Sequence, residues 1–172
     1  MDDFKEKIDD MIGGKFKYDE ENKRFLLEKD GEDYPMQNTS SGLKQLGILQ
    51  LLLENRELTE NSFLILDEPE VHLHPEWQVK LAEILVLLVK DLNVNLFINS
   101  HSPQFIEAIE VYSVKYSLRD ETNFYLTRKD ENSEKYNVEK IEYKNLYELY
   151  ENLGNPYDTL NKIRGQNLAR QL

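Results

Sequence analysis

The stretch Phe63-Leu64-Ile65-Leu66-Asp67-Glu68-Pro69-Glu70 decides the reading of the fold. Four apolar residues with strand preference end in two carboxylates, and Pro69 stops the run. A short apolar segment bounded by a breaker predicts a buried parallel strand. Carboxylates at the carboxyl end of such a strand face the crevice where open α/β sheets bind ligands. A pair there can hold a magnesium ion and orient a water. The plain alternative is two polar residues in a strand-end loop.

Downstream, Pro75 suits the first position of a helix running to about Lys90. This helix is apolar almost all round over Ile84 to Val89, which predicts burial against the sheet. Asn95 to Asn99 is the next short strand, so strand, helix and strand form a right-handed parallel crossover. The second strand ends in Ser100-His101-Ser102-Pro103, which brings His101 to the same sheet edge as Asp67 and Glu68. An imidazole there could contact a terminal phosphate, although a lone histidine is more often structural. A short helix begins near Gln104.

Upstream, the polar loop Asn38-Thr39-Ser40-Ser41-Gly42 leads into a helix over Leu43 to Glu54. Ser40 or Ser41 is the natural N-cap. Small residues at a helix N-terminus also present backbone N–H groups to an anion, with phosphate the candidate. Asp2 to Ile12 predicts an amphipathic helix broken by Gly13-Gly14, and Lys15 to Tyr18 and Arg24 to Glu28 predict paired strands. A turn follows at Lys29 to Glu32. Beyond residue 110, Val111 to Ser117, Phe124 to Arg128 and Tyr136 to Tyr143 are strand-like. Lys144 to Asn152 is helical, Gly154-Asn155-Pro156 ends it, and a final helix covers Tyr157 to Ala169. No repeat or linker divides the chain, so residues 1–172 are expected to form one domain.

The 172 residues carry a formal net charge of −12, which disfavours direct nucleic-acid binding by this chain because phosphate contacts need clustered Lys and Arg. There is no cysteine, so disulfides and thiolate metal sites are excluded. No secretory leader pattern opens the sequence, and the longest apolar run, Ile84 to Val89, is too short for a bilayer. A cytoplasmic protein without a membrane contact is expected. His72 and His74 invite a transition-metal reading, but a His-x-His pair converges on a metal from an extended strand, and this one lies between Pro69 and Pro75. No Gly-x-Ser-x-Gly elbow accompanies Ser100, Ser102 or His101. Gly13-Gly14-Lys15 lacks the earlier glycine and the following Ser or Thr of a phosphate loop.

In this order the motifs resemble the second half of an ABC-type ATPase head, in the branch that includes SMC and RecF-like proteins, OLD-family ATPases and ATPases of bacterial antiphage systems. Thr39-Ser40-Ser41-Gly42-Leu43 resembles the signature, with Ser41 in place of the usual first glycine and Leu43 in place of Gln or Glu. Phe63 to Pro69 resembles Walker B with its glutamate. Glu70-Val71-His72-Leu73-His74-Pro75 is similar to the branch's D-loop region, and Ile98 to Pro103 to its switch-histidine loop. The resemblance implies a partial P-loop NTPase fold with flanking helices, an N-terminal antiparallel hairpin and a strand-rich C-terminal part.

The resemblance also implies ATP and Mg²⁺ as cofactors. Asp67 would help hold the metal, Glu68 would polarise the attacking water, and His101 would contact the γ-phosphate. Ser40 and Gly42, with Ser41 between them, would reach the γ-phosphate bound on an opposite subunit, and His74 would lie near that interface. Walker A and the Q-loop belong upstream in the family and are absent from these residues. The chain then reads as a fragment of a longer ATPase, a half completed by a second chain, or a degenerate copy. A homodimer, or a partner chain supplying Walker A, is the implied assembly, with DNA reached only through a partner or further segments. The implied setting is DNA repair or antiphage defence. The alternative is an interaction or dimerisation module that binds no nucleotide. A nuclease of the OLD type would need a Glu followed by Asp-x-Asp, a pattern not found here.

Overall fold

Helix α1 (Asp3–Ile12) turns Ile8, Met11 and Ile12 into the core. Gly13, at φ 64, closes it with a backbone bond to Asp9 O at 2.7 Å, the left-handed cap that glycine supplies without strain. The computed structural model describes residues 3–130, 133–151 and 153–154. Strands β1 (Lys15–Asp19) and β2 (Arg24–Lys29) pair antiparallel.

A third strand, β3 (Glu32–Pro35), pairs with β2, so the N-terminal element is a three-stranded sheet rather than a hairpin followed by a turn. Asp30 (φ 54) and Gly31 (φ 80) make the two-residue turn between them. Asp-Gly is a strong signal for such a turn. It was obscured because β3 is exposed over Glu32 to Tyr34 and shows no buried alternation.

Helix α2 (Ser41–Glu54) starts at the N-cap Ser40, whose side chain accepts from Leu43 N at 3.3 Å. Its buried face carries Leu46, Leu49 and Leu53. Gly47 lies against the Phe16 ring, where a Cβ would come within 2.5 Å of a ring carbon. The buried Gln50 accepts from Phe16 N at 2.8 Å and donates to Asp9 at 2.6 Å, joining α2 to β1 and α1.

Strands β4 (Phe63–Asp67) and β5 (Asn95–Asn99) pair in parallel from Phe63↔Asn95 to Asp67↔Asn99. The crossover between them is α3 (Pro75–Leu92), capped by His74 and fully buried over Ile84 to Leu88. Side chains alternate between the faces of a strand. Leu64, Leu66, Leu96 and Ile98 pack on the core. Phe63, Ile65 and Phe97 point the other way and are 69%, 67% and 53% exposed. The expected burial of this strand therefore holds on one face only. An uncovered parallel sheet face is unusual, because crossover helices normally cover both sides.

The expected strand over Val111 to Ser117 is corrected to helix. A single helix, α4 (Pro103–Lys115), runs through most of it. Ser102 caps it, accepting from Phe105 N at 3.3 Å, and Pro103 is pre-set for its first turn. Phe105, Ala108 and Tyr112 face the core, whereas the β-branched Val111 and Val114 are exposed. Packing of the apolar stripe overrides their strand preference. A second hairpin, β6 (Phe124–Lys129) with β7 (Tyr136–Ile141), contributes Phe124, Leu126 and Ile141 to a smaller cluster that includes Ile106 of α4. A 3-10 turn at Tyr143–Asn145 starts the expected helical region, and residues 147–151 are helical. Gly154 is itself helical, and Asn155-Pro156 and the expected helix over Tyr157 to Ala169 lie outside the described residues.

Glu83 on α3 joins three helices or their ends. Lys7 Nζ lies 3.2 Å and Lys115 Nζ 2.8 Å from its carboxylate, and Tyr116 donates at 2.6 Å. Burial alone would raise its pKa, but the hydrogen bonds from Lys115, Tyr116 and Lys7 outweigh burial and hold it at about 2 against the ordinary 4.5. A carboxyl depressed in the folded state contributes stability above its unfolded pKa, and that stability is lost as pH falls through the folded value. The Glu83→Gln variant should lose about 2–3 kcal/mol at neutral pH. Its stability should also vary less with pH than the parent's between about 5 and 2, as urea unfolding across that range would measure.

Candidate functional site

The parallel register places Asp67 beside Asn99 at the carboxyl ends of β4 and β5. Asn99 Nδ2 donates to Asp67 Oδ1 at 2.7 Å. The ladder continues one residue further, with Glu68 N donating to Asn99 O at 2.8 Å. Glu68 itself sits at φ 45, in the left-handed region. His72, in the same loop, sits at φ 69. Non-glycine residues in this region cost about 1–2 kcal/mol each, and such strain persists where surrounding contacts fix it. Bonds from Val71 N to Glu68 O and from Leu73 N to Glu70 O, both 3.1 Å, fold the loop into consecutive turns.

His101 reaches the same edge from β5. Its Nε2 lies 3.5 Å from Glu68 Oε1, within ion-pair range when the ring is protonated and beyond a strong hydrogen bond. The His101 side chain is 72% exposed and that of Glu68 41%. The structure thus brings Asp67, Glu68 and His101 together. Ser40, Ser41 and Gly42 lie at the start of α2, and no hydrogen bond joins them to that group among the described residues. Gly42 packs instead against the His72–Leu73 turn. A Cβ on Gly42 would meet Leu73 Cδ2 at 2.5 Å and His72 O at 3.1 Å. His74 is the N-cap of α3, its Nδ1 accepting from Glu76 N at 3.4 Å.

Asn99 is the site residue that reading the sequence passed over. Its signal was positional: a polar residue closing an apolar strand, in register with Asp67. Glu70, Ser100 and Gln78 were missed for a different reason, because their burial and pairing depend on how two distant loops meet.

Among the described residues there is no group of three or more His, Cys, Asp or Glu that could hold a metal ion. The Asp67 carboxylate, with Oδ1 fixed by Asn99 and Oδ2 without a protein partner among the described residues, fits magnesium. That ion prefers oxygen, keeps several waters, and is held by one or two carboxylates together with substrate phosphates.

Residues 1–107 match the model of the family described as "AAA domain, putative AbiEii toxin, Type IV TA system". The chain belongs to this AAA-domain family. The match takes in every motif described above. No curated protein matches the sequence.

Among solved structures, the AAA domain is similar to one from work on "ATP-driven dimerization and DNA stimulated activation of SMC ATPases". That similarity has 13% identity and a TM-score of 0.59 over 87% of this chain and 88% of the other. It is also similar to the SMC head domain from Thermotoga maritima, at 18% identity and a TM-score of 0.50, covering 81% of this chain and 46% of that one. The SmcHead bound to the C-winged helix domain of ScpA gives 12% identity and a TM-score of 0.58 over 84% and 43%. The fold is therefore that of an SMC-like ATPase head in part, and the chain spans less than half the length of the latter two heads.

Gly42 and Ser41 differ sharply in what they touch, since Gly42 is buried and Ser41 exposed. Gly42→Ala should cost about 1–3 kcal/mol through forced movement of Leu73. Ser41→Ala should stay within about 0.5 kcal/mol. Urea midpoints of the two variants would check both values.

Proposed function

We propose that this chain is the signature and Walker B part of an ATP-hydrolysing head. The observation that carries this reading is the convergence of Asp67, Glu68 and His101 at one end of two paired parallel strands. In-line phosphoryl transfer to water needs charge neutralisation, an oriented water and donors toward the γ-phosphate. Bound magnesium would supply charge neutralisation at the phosphates. Asp67 would hold that ion through water, fixed in place by Asn99. Glu68 accepts a hydrogen bond from the attacking water and orients it. His101 donates toward the γ-phosphate.

The uncovered face of β4 and β5 supports the same reading. Phe63, Ile65 and Phe97 form an apolar strip that ends at Asp67 and Asn99. A phosphate-binding segment packed on that strip would arrive at the carboxylates, and exposed aromatic and aliphatic groups of this size favour a covering partner. The segment belongs to the remainder of the head or to a partner chain. Ser40 and Gly42, the latter packed against the His72–Leu73 turn, would serve nucleotide held by a second head, with His74 close to that contact. Two heads engaged around ATP are the expected assembly. DNA repair or antiphage defence is the proposed setting, with any DNA contact made by other segments, since this chain carries a net charge of −12.

The test is Mg²⁺-dependent ATP hydrolysis by the chain together with its Walker A segment. Glu68→Gln should lower kcat about 100-fold or more while nucleotide still binds. An unchanged rate in Glu68→Gln, or a pair that binds no nucleotide, would reject the reading in favour of a nucleotide-independent interaction module.

A further inference from the structure

Glu70 has no part in the chemistry above, yet this charged residue is only 3% exposed, buried with Leu73 in a loop whose His72 and His74 are open to solvent. Its Oε1 accepts a hydrogen bond from the Ser100 hydroxyl, and its buried Oε2 has no hydrogen-bond partner among the described residues. A buried carboxylate with an unsatisfied oxygen is costly. A side chain serving stability alone at this position would be apolar or fully paired.

Ser100 continues the connection. Its Oγ accepts from Ser102 N at 3.1 Å. Ser102 Oγ donates to Gln78 Oε1 at 3.0 Å, and Gln78 Nε2 donates to Leu73 O at 3.2 Å. The chain of bonds thus leaves the loop after β4 at Glu70, passes on both sides of His101, and returns to that loop at Leu73. Glu68 lies two residues before Glu70, and His101 lies between Ser100 and Ser102. The two residues assigned to the reacting phosphate and water therefore stand on loops clamped to each other. The exposed His101–Glu68 contact at 3.5 Å is too long and too open to fix that spacing by itself.

We propose that Glu70 is a positioning residue. Through Ser100 it sets His101 against Glu68, so that the phosphate-facing imidazole and the water-orienting carboxylate keep one geometry. Its catalytic consequence rests on the hydrolytic reading above, but its hold on His101 is a property of this chain that can be read without nucleotide.

The test has two parts. In the 172-residue chain, three histidines give three sets of ring signals, Nδ1 and Nε2 of each, by ¹⁵N-histidine NMR, assigned with single substitutions. Glu70→Gln and Ser100→Ala should each shift or broaden the His101 ring signals, and the double variant should change them no further than either single one. Ile8→Ala, which destabilises the core on α1, should leave them in place. In the complete head, both loop variants should lower kcat about 10- to 100-fold with KM for ATP nearly unchanged. His101 signals that stay unmoved in both variants overturn the proposal, whatever the head does with ATP. Loss of thermal stability without movement of His101 has the same meaning, a structural role only. Moved signals in a chain whose complete wild-type head hydrolyses no ATP would support the hold on His101 and overturn the hydrolytic reading.

Discussion

The parallel pairing of β4 with β5 is the constraint from which the rest follows. Its register sets Asp67 opposite Asn99. One further backbone bond, from Glu68 N to Asn99 O at 2.8 Å, extends the ladder past the end of the strand to Glu68, which sits in a left-handed conformation. A shift of one residue would move Asp67 and Asn99 to opposite faces of the sheet, because the side-chain period of a strand is two. The register is held on the core side by Leu64, Leu66, Leu96 and Ile98. Helices α3 and α4 then fix where the two loops emerge, each beginning at a capped N-terminus with a proline in its first turn. Fold and site are thus one arrangement seen from two faces of a small sheet.

Much of this was legible because it is local. The apolar run ending in Asp67-Glu68-Pro69, the cap at Ser40, the proline-led α3 and the strand leading to His101 are each written in consecutive residues. Patterns spread across the fold were harder to see. Val111 and Val114 favour strands in isolation, but the helical spacing of Phe105, Ala108 and Tyr112 against the core decides the conformation. The third strand, Glu32 to Pro35, buries almost nothing and so carries no alternation to find. The connection through Glu70, Ser100, Ser102 and Gln78 joins residues up to 30 positions apart, and no local pattern encodes it.

The open side of the sheet gives the site its character. Apolar groups that would ordinarily be covered stand beside a strained loop, a fixed carboxylate and an exposed histidine. Ser40 and Ser41 open α2 beside Gly42, which packs against the His72–Leu73 turn. A movement of that turn would be felt both at α2 and, through Glu70, at His101. On the proposed function, catalytic geometry and contact with a second head would then be linked through one short loop.

The most direct measurement is a crystal structure of the complete head with Mg²⁺ and a non-hydrolysable ATP analogue. The γ-phosphate is expected within hydrogen-bond reach of His101 Nε2, with a water between that phosphate and Glu68, and the phosphate-binding segment packed on Phe63, Ile65 and Phe97. A nucleotide bound away from the ends of β4 and β5, with Asp67, Glu68 and His101 left in solvent, would contradict this arrangement.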